Sequence, residues 1–152
     1  MRLSGCRLLQ QSSGRDICGD EGRSDMRPQA ELRLPPEATA PAFARAAVAA
    51  MAAGLPDEVV SNIELLTTEL VTNAITHAKV SQSEQIIVRL VLRAGVRVEV
   101  IDPGPPFDPR PVKPDPGSTS GWGLFFVDTV ATSWGVEPEE GLGKKVWFEI
   151  GP

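Results

Sequence analysis

The chain has 152 residues, of which 41% are hydrophobic, and a formal net charge of -5 at pH 7. This length suits one globular domain with a substantial core. The negative charge and the lack of a basic run argue against direct nucleic-acid binding and against binding to anionic membranes. The longest apolar run, AVAAMAAGL, is too short to span a bilayer. The two cysteines have no neighbouring residues that would complete a metal site, and they form no disulfide framework. We therefore expect a protein of the reducing cytoplasm.

The N-terminal stretch differs in composition from the rest of the chain. Residues 1–26 are rich in Ser, Gly, Arg and Asp and show no apolar periodicity. Such a segment buries too little apolar surface to order itself, so we predict a disordered tail there and one folded domain over residues 27–152. An alternative explanation is that Met26 is the true start of the protein, and the sequence does not separate the two.

The first half of the folded part predicts one strand and two helices. Residues 31–34 alternate polar and apolar and end at two prolines, as in a short edge strand. An Ala-rich helix follows and stops at Gly54, with Pro41 in its first turn. A second, longer helix is predicted over residues 58–77.

The second half predicts four strands, a loop and a helix. Residues 86–92 and 96–101 alternate in polarity and flank a short turn, which indicates a hairpin. A long loop rich in Pro and Gly covers 103–120, and loops of this length are usually functional or mobile. A helix over 124–133 and strands over 134–137 and 144–150 complete the chain. This order predicts an α+β fold, a two-layer sandwich in which helices cover one face of a mixed, mostly antiparallel sheet.

Three polar residues lie four apart within the apolar pattern of the long helix. Glu69, Asn73 and His77 form a stripe that steps about 40° each time, along or inside the buried face. Buried carboxylate and amide groups need partners, because each unpaired one costs roughly 1 to 3 kcal/mol. Hydrated Mg²⁺ with phosphates would suit these oxygens. An alternative is that Asn73 and His77 only bond to neighbouring backbone.

Two further stretches carry residues suited to a nucleotide. Asp102-Pro103-Gly104 follows a strand, where the carboxylate would accept a hydrogen bond from an exocyclic amino group, although the same tripeptide also suits a plain turn. Gly121 and Gly123 precede a helix whose first amides are unpaired and would cradle phosphates. GLGK at 141–144 lacks the spacing of a P-loop, and a single histidine makes a zinc site or hydrolytic triad a poor fit.

In order, the chain contains ELVTNAITHA, DPGPPFDP, GWGLFFVDTVATSWG and GKKVWFEI. This series resembles the nucleotide-binding domain shared by histidine kinases, gyrase and MutL, known as the Bergerat ATP-binding fold. The short single domain and the final GKxVWFEI strand are most similar to the anti-sigma factor serine/threonine kinases of bacterial sigma-factor switches. The resemblance covers about residues 31–150.

The resemblance implies roles at the phosphate end of a site for ATP or ADP with Mg²⁺. Asn73 would bind Mg²⁺ through its side-chain oxygen, and Glu69 would be the general base that takes a proton from an attacking hydroxyl. Backbone amides at Gly121, Gly123 and Leu124 would contact the phosphates.

At the base end, the resemblance implies that Asp102 bonds the adenine amino group and that Gly104 passes under the ring. His77 would support the nucleotide site by packing or bonding, and residues 105–120 would form an ATP lid. Relatives often carry a second glycine where this chain has Pro105-Pro106. Lys145 stands where relatives commonly have a threonine of the adenine network, and it would contact phosphate or be solvated.

These roles imply an ATP-binding serine/threonine kinase that phosphorylates an anti-anti-sigma factor and, when that antagonist is phosphorylated, is free to hold a sigma factor. Family resemblance also suggests a homodimer. An alternative is a regulatory module that binds nucleotide without transferring phosphate. A third hypothesis is a relic of the fold that binds no nucleotide.

Overall fold

The computed structural model describes residues 30–110, 113–118 and 121–151. The predicted tail over 1–26 and residues 27–29 lie outside these ranges. The helices and strands are β1 Ala30–Leu34, α1 Ala40–Met51, α2 Asp57–His77, β2 Ile86–Leu92, β3 Val96–Asp102, α3 Trp122–Val130, β4 Ser133–Glu139 and β5 Gly143–Ile150.

The strands form one sheet in the order β1-β2-β3-β5-β4. Among the described residues every strand pairing is antiparallel. The sheet there is therefore fully antiparallel, where the sequence predicts a mixed, mostly antiparallel one. The reason lies in the last two strands. α3 carries the chain to the edge of the sheet, and β5 then turns back between β3 and β4, so that it runs opposite to both.

Alternation along the strands separates two faces of the sheet. Even-numbered positions such as Val88, Val98 and Phe148 belong to the hydrophobic core, together with buried residues of all three helices. Helices therefore cover one face, as the α+β prediction requires. The odd-numbered positions form the second face, which we call the outer face.

The outer face carries several ion pairs. Arg97 donates to Glu99 at 2.9 Å and to Glu149 at 2.9 Å, and its guanidinium lies 3.9 Å from the centre of the Trp147 ring. Arg89 pairs with Glu31 and with Glu139. These pairs compensate charge on a face that contributes little to the core.

The long helix α2 has the extent that the apolar pattern predicts. Its buried residues include Ile63, Leu66, Leu70 and Ala74, which repeat at three- and four-residue spacing along the stripe facing the sheet. The helix ends at His77, and Lys79 with φ 49° turns the chain away. Within the described ranges, no helix is long and apolar enough to cross a membrane.

The third helix differs from its predicted bounds of 124–133. It begins two residues earlier because Gly121, with φ 87°, adopts the left-handed conformation at the N-cap. It ends earlier because Ala131 is extended and Ser133 already pairs with Glu149 of β5. Strand pairing thus overrides the helical periodicity of residues 131–133.

Candidate functional site

A cavity of about 420 Å³ opens between α2, the ends of β3 and β5, and the start of α3. Six of the predicted site residues line it: Asn73, His77, Asp102, Gly121, Gly123 and Leu124. A smaller cavity of about 210 Å³ lies beside Gly95 and Gly151, at the opposite end of the sheet. The larger cavity therefore collects residues from four separate stretches of sequence.

The polar stripe of α2 lies at the border of the core. Glu69 and Asn73 are half-buried and His77 is exposed at the helix end. Gly123 of α3 lies against the first two, since a Cβ on Gly123 would lie 2.7 Å from Asn73 Nδ2 and 3.3 Å from Glu69 Oε2. The glycine therefore lets the first turn of α3 approach both side chains closely.

Glu69 differs from the other described carboxylates whose pKa is shifted. Burial raises the pKa of its carboxyl group, and none of the described residues donates a hydrogen bond to it. A carboxylate whose pKa is raised by burial is a stronger base once ionised. Glu69 lies near α3 and is not itself a lining residue of the cavity.

The N-terminus of α3 faces the cavity without a side-chain cap. The first amides of a helix have no intrahelical acceptor and carry partial positive charge. Trp122, in the first turn, donates from Nε1 to the Ser118 carbonyl oxygen at 2.8 Å and so ties the preceding loop to the helix. Free amides at such a terminus suit a phosphate group.

Asp102 lies at the other end of the cavity and is 2% exposed. Its Oδ1 accepts from the Gly104 amide at 2.8 Å and from Lys144 Nζ at 2.6 Å. A Cβ on Gly104 would lie 2.7 Å from Lys144 Nζ and 2.8 Å from Asp102 Oδ1. Gly104 thus holds the Asp102 carboxylate through its backbone amide, although Gly104 does not line the cavity.

Gly143 brings β5 against the end of β3. It has φ 106°, and a Cβ there would collide with the backbone of Asp102 and Pro103. The residue that follows it, Lys144, pairs in register with Asp102. This close approach fixes the Lys144–Asp102 ion pair in the cavity wall.

The assignment of Lys145 to the nucleotide site does not fit the structure. Lys145 lies on the outer face, with Nζ at 3.3 Å from Glu137, 3.3 Å from Glu139 and 3.8 Å from Glu99. Strand side chains alternate between faces, and Lys144 is the lysine that shares a face with the core residue Val146. The alternation in the sequence places the two lysines on opposite faces of β5, and the packing of β5 against β3 decides that Lys144 is the one at the cavity.

The loop after β3 adds apolar lining that sequence patterns did not indicate. Pro105, Pro106 and Phe107 line the cavity, and Phe107 is 43% exposed. This is the start of the predicted lid, of which residues 111–112 and 119–120 lie outside the described ranges. On the other side Leu70, Ala74, Val100 and Val146 give the cavity an apolar wall.

The residues present fit a nucleotide. The cavity volume falls within the roughly 300–1,000 Å³ of small-molecule pockets. An apolar wall with Asp102 at one end suits a base, and free amides beside Asn73 at the other end suit phosphates with an oxygen-ligated Mg²⁺.

Comparison with known proteins identifies the family. Residues 32–150 match the family model of the histidine kinase-like ATPase domain. The match covers most of the chain, which therefore belongs to this family. Membership implies binding of ATP or ADP and a possible phosphotransferase activity. No curated protein matches the chain.

Proposed function

We propose that this member of the histidine kinase-like ATPase family is a serine/threonine protein kinase of the anti-sigma factor type. The observation that carries the proposal is the position of Glu69. Its carboxylate has a pKa raised by burial and no hydrogen-bond donor among the described residues, and it lies beside Asn73 and the free amides of α3. A half-buried carboxylate whose pKa is raised by burial, next to residues suited to phosphate and Mg²⁺, supports a role as a catalytic base.

The chain's own residues supply three parts of phosphoryl transfer. The first amides of α3 hold the phosphates in place. Asn73 would hold Mg²⁺ through its side-chain oxygen, and that ion would supply positive charge at the phosphates. Glu69 takes the proton of a serine or threonine hydroxyl. The hydroxyl oxygen of the substrate then bonds to the γ-phosphorus, while the bond from the γ-phosphorus to the bridging oxygen breaks and ADP leaves.

The protein substrate is the finer part of the proposal. Support comes from the sequence resemblance, which extends from the helix motif at Glu69 to the final strand GKKVWFEI. We assign an anti-anti-sigma factor as the phosphorylated partner and a sigma factor as the protein held when that antagonist is phosphorylated. A homodimer working in the cytoplasm belongs to the same proposal.

The test is phosphate transfer from Mg·ATP to a candidate antagonist, followed by mass spectrometry. Glu69→Gln keeps the shape of the side chain and removes the base, so transfer should slow by about 10²- to 10⁴-fold while ATP affinity stays within about threefold. Phosphorylation by Glu69→Gln at the wild-type rate would contradict the assigned role of Glu69.

A second candidate is a regulatory module that binds nucleotide and transfers no phosphate. The stiff Pro105-Pro106 pair at the start of the lid favours it, because relatives often have a glycine there. The same mass spectrometry distinguishes the two functions. ATP binding without any phosphorylated antagonist would favour the module.

A further inference from the structure

Trp122 stands between the two glycines at the start of α3 and contacts residues on both sides. Its indole N–H donates to the Ser118 carbonyl oxygen at 2.8 Å. Its ring lies 5.8 Å from that of Phe126, which packs against the core, and 5.7 Å from the Phe125 ring, which meets it edge-on. An indole has a single N–H and no acceptor, so this bond uses all of its hydrogen-bonding capacity. The helix on one side and the loop on the other thus fix the orientation of the indole.

The loop before α3 contacts the start of that helix at a second point. We call residues 113–118 the lid segment, since they belong to the predicted lid. Within it, the Ser118 amide donates to the Asp115 carbonyl oxygen at 2.9 Å and closes a turn. Pro114 lies against Gly121, because a Cβ on that glycine would be 3.4 Å from the proline ring. The lid segment is therefore joined to α3 through Pro114 as well as through Ser118.

These contacts lie at the phosphate end of the cavity. Gly121 and Gly123 line it, and Gly123 lies against Asn73 and Glu69. Trp122 supplies one of the first amides of α3, which have no intrahelical acceptor and suit phosphate oxygens. A side chain that fixes this turn also fixes the direction in which its amides point.

We propose that Trp122 is a positioning residue that couples the order of the lid segment to phosphate binding at the start of α3. This inference rests on the proposed nucleotide binding and deepens it by naming the residue that joins the lid to the phosphate end. The Trp122 side chain does not line the cavity, so it acts through the backbone of its neighbours. Such coupling is reciprocal, because a contact that strengthens phosphate binding is itself strengthened by bound phosphate.

The first test compares Trp122→Phe with its matched control, Trp134→Phe. Each change removes one indole N–H and keeps an aromatic ring, but Trp134 donates to Asp128 at 3.0 Å, and neither of these residues lines the cavity. One net hydrogen bond corresponds to about fivefold in an equilibrium constant, so Trp122→Phe should weaken Mg·ATP binding at least about threefold in calorimetry. Trp134→Phe should leave the affinity unchanged.

Urea denaturation of the same two variants separates positioning from a merely structural role. Each variant loses one hydrogen bond, so both should lose similar stability, and only Trp122→Phe should also lose affinity. A smaller loss of affinity in Trp122→Phe than expected, or an equal loss in both variants, would overturn the inference and leave nucleotide binding standing. No binding of Mg·ATP by the wild type would overturn both.

A second measurement keeps Trp122 in place and does not depend on the folding of Trp122→Phe. The chain has three tryptophans, so the double variant Trp134→Phe/Trp147→Phe leaves Trp122 as the only one. Saturating Mg·ATP should hold the lid segment against Trp122 and lower the acrylamide quenching constant of its fluorescence at least about twofold. An unchanged or higher quenching constant, with ATP binding shown by calorimetry on the same variant, would overturn the inference.

Discussion

The outer face of the sheet and the cavity on its other side differ in how their charges are paired. On the outer face, Arg97 is bonded to Glu99 and Glu149, and Arg89 is bonded to Glu31 and Glu139. Beside the cavity, Glu69 has no hydrogen-bond donor among the described residues. Paired charges are explained by the fold itself, whereas a half-buried carboxylate without a donor and with a raised pKa is typical of a functional site.

The pKa values of the carboxyl groups differ in the same way. The hydrogen bond from Arg89 lowers the pKa of Glu31. Burial opposes ionisation of Glu149, but the hydrogen bonds from Arg97 and Ser133 outweigh it and lower the pKa. Burial raises the pKa of Glu69. Lowered values stabilise the fold above the ordinary carboxyl pKa of 4.5, and this contribution is lost as pH falls below it.

The largest effect on stability is expected from Arg97→Ala on the outer face. The change leaves Glu99, which is 7% exposed, without its main partner. Breaking a buried pair in this way costs about 3 kcal/mol of unfolding free energy, measured by urea denaturation.

Arg110→Ala is the matched control, because Arg110 pairs with Asp108 where both side chains are more than 70% exposed. Its effect should stay below about 0.5 kcal/mol. Equal losses in the two variants would show that the outer-face network does not stabilise the fold.

Gly123→Ala tests the close approach of α3 to the polar stripe. The added methyl would lie 2.7 Å from Asn73 Nδ2 and displace that side chain. We expect Mg·ATP binding to weaken at least about tenfold, or 1.4 kcal/mol. Unfolding free energy should not fall, because alanine favours a helix over glycine by about 1 kcal/mol.

Gly117→Ala is the control for this variant, since a Cβ on Gly117 would meet nothing within 4 Å. Its ATP affinity should equal that of the wild type. Weakening by Gly117→Ala as large as that by Gly123→Ala would mean that binding responds to loop changes in general.

The smallest effect is expected from Glu69→Gln on stability, and it depends on pH. The pKa of Glu69 is raised in the folded state, so ionisation destabilises the protein as pH rises through that value. Relative to the wild type, the variant should therefore be more stable at pH 7 than it is at pH 4. Urea denaturation at the two pH values measures the difference, and equal differences would contradict an uncompensated charge at Glu69.

Much of the fold follows from periodicity in the sequence. The apolar stripe of α2 and the alternation of β2 and β3 predict those elements within one residue of their bounds. The order of strands in the sheet cannot be predicted from periodicity, because tertiary packing places β5 between β3 and β4 and no local sequence pattern indicates it. The end of α3 was misplaced for the same reason, since pairing of Ser133 with Glu149 decides it.

The candidate site was predictable where spacing along a helix fixes geometry. Glu69 and Asn73 share a helix face, so their proximity follows from sequence alone. Lys144 was missed because its role depends on which face of β5 meets the cavity. The Lys144–Asp102 contact joins residues 42 positions apart, a relation that a single sequence does not display.

The most direct test of a nucleotide site in this cavity is calorimetric titration with ATP and ADP, each with and without Mg²⁺, on the wild type and on Asn73→Ala. Asn73 lines the cavity beside the free amides of α3. We predict binding on the order of micromolar that depends on Mg²⁺ and that Asn73→Ala weakens at least about tenfold. No binding at millimolar nucleotide, or equal binding by Asn73→Ala, would contradict the site.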